Sequence, residues 1–300
     1  MSPADGARPQ PPAEEGKWKA GGLTPEAMQR AGELVTGRFA APLIQAAGLP
    51  PAKVQDIVVL DNGAGSACVA ADLLKMLDGE QKERTRIVCG DIQPGSLEFV
   101  SKRVKEEGWR GVEVKSIDTQ DTKLPSASYT HVLSSFVLML VPKPQQALAE
   151  IHRILVPGGV NAFTTWNTVG WLPWVQDAFA AIPGCPPFPP AEKRLNPAGT
   201  GRWDLPEVLR EEVEKVGFVD VNVELREERP VMDNPEMYVR LFANMLLSLA
   251  TKWFTDEEKK EYTDKIKQTL LKQLQEKFGE GKPFDMPMTA NLVTCKKPSN

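Results

Sequence analysis

Two periods of apolar spacing alternate along the first two-thirds of the chain. Ile57-Val58-Val59-Leu60, Arg86-Ile87-Val88-Cys89 and His131-Val132-Leu133-Ser134 are short runs rich in β-branched residues, of the kind carried by strands covered on both faces of a parallel sheet. Residues 112–117 alternate apolar with polar, and residues 160–166 form a fifth run. Between these runs the spacing becomes that of helices. Residues 66–77, 94–107 and 145–155 show it, the last with Leu148, Ile151, Ile154 and Leu155 as its stripe. Residues 218–224 and 289–295 predict a sixth and a seventh strand. Repeated strand–helix units predict an α/β fold: a Rossmann-like, seven-stranded, mostly parallel sheet with helices on both faces and right-handed crossovers.

The remaining segments depart from this rhythm. Thr24-Pro25-Glu26 opens a helix expected to reach residue 36, with Thr as cap and Pro at the first position. A short helix over 41–47 stops at Gly48-Leu49-Pro50-Pro51. Residues 167–202 are rich in Pro, Trp and Gly and read as a lid or binding loop. Asp204 is expected to cap a helix over 204–216, and residues 235–250 form an apolar helix. Thr255 and Glu258 have the spacing of a capping box. Behind it Tyr262, Ile266, Leu270, Leu274 and Phe278 step by four along a buried face. Residues 1–22, dominated by Pro, Gly, Ala and charge, read as a disordered tail. Residues 23–300 then read as a single domain, with helical lid insertions near 167–202 and 227–284.

Charge and composition narrow the function classes. A net charge of -4 leaves no basic excess for nucleic acid or for an anionic membrane. No apolar run has the length of a membrane span, and no secretory signal is legible. Cys68, Cys89, Cys185 and Cys295 fall in no CxxC pair, and His131 and His152 are the two histidines; neither a zinc site nor any other metal centre is expected. A cytoplasmic setting fits this cysteine usage, and the oligomeric state stays open.

The chemistry concentrates at the ends of the first three strands. Leu60-Asp61-Asn62-Gly63-Ala64-Gly65-Ser66 follows a strand and opens a helix, where glycines permit a sharp turn and close approach of a ligand. A dinucleotide site would want Gly-x-Gly-x-x-Gly to seat a pyrophosphate; here Ala67 and Cys68 follow Gly65. Asp61 ends the first strand, where a carboxylate opposes a pyrophosphate and suits a cation such as an ammonium. Asp91 ends the second strand and can accept from both hydroxyls of a ribose, and Asp118 ends the third, within reach of an adenine amino group. Each acid also has an ordinary reading: Asp91 as a helix cap, Asp118 in a turn with Thr119 and Asp121, Asp61 on loop amides. At three consecutive strand ends the ligand reading is the stronger.

These residues resemble the class I S-adenosylmethionine-dependent methyltransferases, over residues 54–218. Asp61-Asn62-Gly63-Ala64-Gly65 resembles the first motif, with Ala67 in place of its usual last Gly. Cys89-Gly90-Asp91-Ile92 resembles the ribose motif, and Ile117-Asp118-Thr119-Gln120-Asp121 with Leu124-Pro125 the adenine segment. Tyr129-Thr130-His131-Val132 and Arg153-Ile154-Leu155-Val156-Pro157-Gly158-Gly159 resemble the fourth strand and the tail that follows it. A narrower likeness, through Val59-Leu60-Asp61-Asn62, Glu107-Gly108-Trp109, Thr165-Trp166-Asn167 and Ile182-Pro183-Gly184, is to fungal secondary-metabolite enzymes of the gliotoxin bis-thiomethyltransferase type. The resemblance implies S-adenosyl-L-methionine as cofactor, held by Asp61, Asn62, Gly63, Ala64, Gly65, Asp91, Ile92, Asp118 and Thr119. It places Ser135 and Phe136 beside the donor methyl. It implies a small-molecule acceptor methylated on S or O, walled by Trp166, Trp171 and Trp174.

Two other classes remain to be weighed. A non-methylating enzyme or regulatory protein on the same scaffold is compatible with the altered Ala67. A nicotinamide-dependent oxidoreductase is disfavoured by the broken phosphate fingerprint and by the lack of a Tyr-x-x-x-Lys pair at Tyr129, Tyr238 or Tyr262. Methyl transfer from a sulfonium asks mainly for alignment, and the sequence names no general base. His131 lies inside a strand and reads as a core residue, and His152 reads as a surface residue of the following helix.

Overall fold

The computed structural model describes residues 32–188, 201–251 and 254–299. The expected tail over 1–22, the helix expected from Thr24 up to residue 31 and residues 189–200 of the expected lid lie outside the described residues. The chain divides into two compact units. Of the described residues, the larger comprises 32–170, 201–231 and 285–299, and the smaller 171–188, 232–251 and 254–284.

The larger unit is built on seven strands: β1 (Ile57–Asn62), β2 (Thr85–Asp91), β3 (Val112–Ser116), β4 (Tyr129–Ser135), β5 (Leu155–Val169), β6 (Val219–Glu228) and β7 (Met288–Lys296). Their spatial order is β3-β2-β1-β4-β5-β7-β6. The first five run parallel, and β7 is antiparallel to both β5 and β6. The expected Rossmann-like, mostly parallel seven-stranded sheet is therefore the one found. The main helices, in chain order, are α1 (Ala40–Ala46), α2 (Cys68–Met76), α3 (Pro94–Glu106), α4 (Pro144–Ile154), α5 (Leu172–Ala180), α6 (Pro206–Lys215), α7 (Pro235–Ala250) and α8 (Asp256–Phe278).

Burial explains the strands. Successive residues of a strand point to opposite faces, yet Val59 and Leu60 of β1 are both 0% exposed, so the central strand is covered on both sides. One side is closed by Leu43 and Ile44 of α1, Val69 and Leu73 of α2 and Val100 of α3, packed against Ile57, Val59, Ile87 and Leu133. At roughly 25 cal/mol per Å² of apolar surface removed from water, such burial supplies the drive that holds the strand ends level. The register sets that level: Asn62 lies opposite Gly90, Asp91 opposite Ser116, and Asp61 opposite Leu133.

Four expectations need correction. The second helix starts at Cys68, not Ser66, because Ala67 takes a left-handed conformation (φ 57, ψ 38) that ends the turn. Residues 172–180, expected as loop, are the helix α5; Trp174, Val175, Ala178 and Phe179 bury one face of it, and Pro173 sits at its start, where the missing N–H is harmless. The helix expected to be capped by Asp204 has Leu205 at its cap and no side-chain bond there, since the Asp204 carboxylate pairs with Arg202. β5 and β6 extend to Val169 and Glu228, because their pairing with β7 continues past the apolar runs.

The smaller unit is helical, and its described residues include α5, α7 and α8. The expected capping box opens α8: Thr255 Oγ1 accepts from Glu258 N at 3.1 Å, and Thr255 N donates to Glu258 Oε2 at 2.8 Å. Ile266, Leu270 and Leu274 of the expected stripe are buried. Thr255→Ala is expected to cost about 1 kcal/mol, measured as a lower urea midpoint at unchanged slope.

Candidate active site

The turn between β1 and α2 is shaped by its backbone. Gly63 (φ +70) and Gly65 (φ +56) adopt left-handed conformations, and the N–H groups of Gly63 and Ala64 both donate to Gly90 O, at 2.8 and 2.9 Å. A Cβ at Gly63 would lie 2.5 Å from Val137 Cγ2, whereas at Gly65 the nearest atom is Gly63 O at 3.9 Å. Gly63 is thus required by the protein's own packing, and Gly65 leaves open room for a ligand. Ala67, also left-handed and 0% exposed, carries a strain of roughly 1–2 kcal/mol that a Gly would not. Its neighbour is tied down by Arg103, whose Nη1 donates to Ser66 O at 2.7 Å while the guanidinium pairs with Glu107 and lies over the Trp109 ring.

The acids converge on this turn. Asp91 Oδ2 accepts from Gly65 N at 2.9 Å and Oδ1 from Gln93 N at 2.8 Å, so one carboxylate bridges the ends of two strands. Asp61, 2% exposed, turns Oδ2 to Ala70 N at 3.1 Å in the first turn of α2, where the helix dipole favours an anion. Burial, with the Asp91 charge adding to it, pushes the Asp61 carboxyl up to about 7. Asn62, 1% exposed, donates its amide to Thr119 Oγ1 at 2.7 Å and to Ser134 Oγ at 3.0 Å, lacing β1 to β4 and to the segment after β3. Asp118 Oδ1 accepts from Gln120 N at 2.8 Å and from Gln120 Nε2 at 3.1 Å, the turn geometry of its ordinary reading. Ile92 stands 48% exposed beside Asp91.

At the end of β4, Ser135 is half-buried, and Phe136 is a bulky residue at positive φ (58). Its N–H is fixed by Thr164, donating to both the carbonyl and Oγ1 at 3.1 Å. The Phe136 ring stacks on Trp166 at 3.8 Å, and both take edge contacts from Phe39, at 5.3 and 5.5 Å. The sequence did not single out Phe39, Arg103 or Thr164, because each acts through a contact distant along the chain. Trp171 is half-buried at the cap of α5. Trp174 is buried within the helical unit, edge-on to Tyr238, Phe278 and Phe284. Trp166 and Trp174 therefore belong to two different aromatic clusters.

Neither histidine joins the site. His131 is buried, pairs through Nδ1 with Thr130 Oγ1 at 2.8 Å, and is pushed down to about 4 by burial, which keeps it neutral at pH 7. His152 packs on the edge of Phe218. Among the described residues no group of three His, Cys, Asp or Glu side chains could hold a metal ion.

An open glycine turn bonded by Asp91, with the buried Asp61 at the start of the helix that follows, suits a ligand with hydroxyls and a positive charge. It does not match one with a pyrophosphate. Residues 60–163 match the family model described as "Methyltransferase domain". The chain is 31% identical over 266 residues to an acetylaranotin bis-thiomethyltransferase of Aspergillus terreus, covering 89% of this chain and 92% of that one. The chain is an S-adenosylmethionine-dependent methyltransferase. A second relative of this methyltransferase, methyltransferase tpcH of Aspergillus fumigatus, is 29% identical over 89% of this chain and 94% of that one. The fold is shared with a phosphoethanolamine N-methyltransferase of Haemonchus contortus solved with S-adenosylhomocysteine (TM-score 0.53, 16% identity, 87% of this chain and 52% of that one). No described helix of the methyltransferase is long and apolar enough to cross a membrane.

The raised Asp61 carboxyl gives a signed pH dependence. Between the ordinary value of 3.8 and about 7 the unfolded chain ionises this acid while the folded chain keeps its proton, so folded stability falls as pH rises through that window. Asp61→Asn should flatten this slope and make the cofactor-free protein more stable than wild type at pH 8, read from denaturant midpoints at pH 5 and pH 8. An unchanged slope would mean that Asp61 is ionised within the fold.

Proposed function

We propose that this methyltransferase methylates a small-molecule acceptor on sulfur or oxygen, with the cofactor held by the glycine turn and the three aspartates. The observation that carries the reading is Asp91 bridging Gly65 N and Gln93 N. Each of its oxygens keeps a further lone pair, so it can accept from ribose hydroxyls without releasing the turn. Gly63, Ala64 and Gly65 supply the close approach, and Ile92 an apolar surface for the adenine. Asp118 offers its carboxylate to the adenine amino group, with Thr119 beside it. Asp61 provides negative charge toward the cationic end of the cofactor, while Asn62 acts from beneath by holding Thr119 and Ser134 in place. The bound cofactor supplies an activated methyl group on a sulfonium.

The chain's own part is alignment and exclusion of water. Ser135 and Phe136 border the position of the donor methyl, with Phe136 oriented by Thr164 and Trp166. The aromatic faces of Phe136 and Trp166 favour positive charge through cation–π attraction. Trp166, stacked on Phe136, is the proposed acceptor-recognition residue of the sheet unit. A thiol acceptor needs no strong base, since it ionises near neutral pH, which is consistent with a site that neither histidine joins. Support for a secondary-metabolite acceptor, and for sulfur as the atom methylated, comes from the Aspergillus relative that is a bis-thiomethyltransferase.

Asp91→Ala should weaken S-adenosylhomocysteine binding by about 1.5–3 kcal/mol, the range for a charge-assisted hydrogen bond, in calorimetry on a variant shown to be folded. Unchanged affinity would remove Asp91 from the ribose site. For the acceptor, mass spectrometry after incubation with S-adenosylmethionine and a panel of thiol, phenol and amine metabolites should show a gain of one methyl on thiols or phenols. Methylation confined to amines would overturn the S/O assignment.

A further inference from the structure

Gln120 joins the proposed adenine segment to a helix beyond the next strand, and both belong to the sheet unit. Its Oε1 accepts from the backbone N–H of Lys143 at 2.8 Å, immediately before α4. A backbone N–H can only donate, so the carboxamide has one possible orientation there and its Nε2 donor faces the other way. That donor meets Asp118: it lies 3.1 Å from Oδ1 and 3.5 Å from Oδ2. Oδ1 also accepts from Gln120 N at 2.8 Å, so both of its lone pairs are taken, and Oδ2 is the oxygen left with capacity to accept. The same loop is pinned to α4 a second time, where Glu150 Oε2 accepts from Thr122 N at 3.0 Å and from Thr122 Oγ1 at 2.8 Å. An aspartate turn closes with the backbone bond from Gln120 N alone. The side-chain bond and its anchor before α4 are additional, and what they fix is the rotation of one carboxylate.

We propose that Gln120 is a positioning residue for cofactor recognition: anchored before α4, its carboxamide holds the Asp118 carboxylate so that Oδ2 is offered to the exocyclic amino group of adenine. This deepens the placement of Asp118 at the adenine given above and rests on it. Gln120 acts through Asp118 and need not touch the base. An amino group donates, whereas the oxo group that hypoxanthine carries at the same position accepts. A carboxylate oxygen fixed there therefore attracts adenine and repels hypoxanthine. A carboxylate free to rotate can swing away from the oxo group, and the discrimination falls. Sites built to hydrogen-bond an N–H reject the analogue lacking it far more sharply than apolar contacts do, and that sharpness requires the acceptor to be held by its neighbours.

The test uses the full chain and two ligands, S-adenosylhomocysteine and its deaminated analogue S-inosylhomocysteine, compared by calorimetry. The wild type should bind the first at least about tenfold more tightly than the second. Gln120→Met keeps the length of the side chain and removes both of its bonds. Gln120→Glu keeps an acceptor for Lys143 N and puts an oxygen where the donor to Asp118 stood. Each should narrow the preference to within about threefold, in variants shown by thermal melting to be folded. A purely structural role would weaken both ligands alike and leave their ratio unchanged. A wild-type ratio in either folded variant therefore overturns the proposal, and so does failure of both variants to fold, since Gln120 would then be a structural bond. These results leave Asp118 at the adenine and remove Gln120 alone. If the wild type shows no preference, or binds neither ligand, Asp118 does not read the adenine amino group, and the reading beneath the proposal falls together with it.

Discussion

A carboxylate shared between two strand ends is the constraint on which the site depends. Asp91 takes the N–H of Gly65 on one oxygen and that of Gln93 on the other, so the loop after β1 and the loop after β2 cannot move independently. The bond works only because the parallel register brings Asn62 level with Gly90 and leaves Asp91 one residue beyond. That register is in turn held by strands buried on both faces, where a slip of one residue would exchange every side chain between the two faces of the sheet. Core packing and cofactor chemistry are therefore coupled through a few backbone amides. Asp61 adds a second bond of the same type, to Ala70 N. Its burial and its proximity to the Asp91 charge make it the acid here that resists ionisation. A cationic ligand relieves that resistance, and an anionic one would worsen it.

Much of this was legible in the sequence because it is local. The seven strands, the glycine turn and the acids at the strand ends follow from apolar periodicity and from residue types at fixed offsets. The capping box of α8 was readable from Thr255 and Glu258 alone, since the motif closes within four residues. What was not legible depends on distant contacts. Ala67 gives no sign that it will be left-handed. The amide of Asn62, adjacent to the turn, is engaged by Thr119 and Ser134, 57 and 72 residues away. Phe39 meets Phe136 and Trp166 only after the chain has folded. The helix α5 was hidden by its composition: prolines and tryptophans suggested a loop, while the burial of Val175, Ala178 and Phe179 follows helical spacing. Trp166 and Trp174, eight residues apart, pack into separate clusters. Sequence proximity within a Trp-rich stretch carries no information about that.

Two departures from ideal local structure sit in the two aromatic clusters, and they are of different kinds. In the sheet unit Phe136 is held at positive φ by two bonds to Thr164 and by the stacked Trp166. A conformation of this sort costs of order 1–3 kcal/mol and persists only where neighbours over-determine it. In the helical unit Tyr238 keeps a hydroxyl without a partner among the described residues. The first fixes where an aromatic face lies; the second leaves a directional bond unmade. The proposed place of Phe136 beside the donor methyl asks for the former, because orienting a donor is a geometric demand that is constant from one turnover to the next. Each departure falls where regular strand and helix packing alone would have favoured a simpler residue.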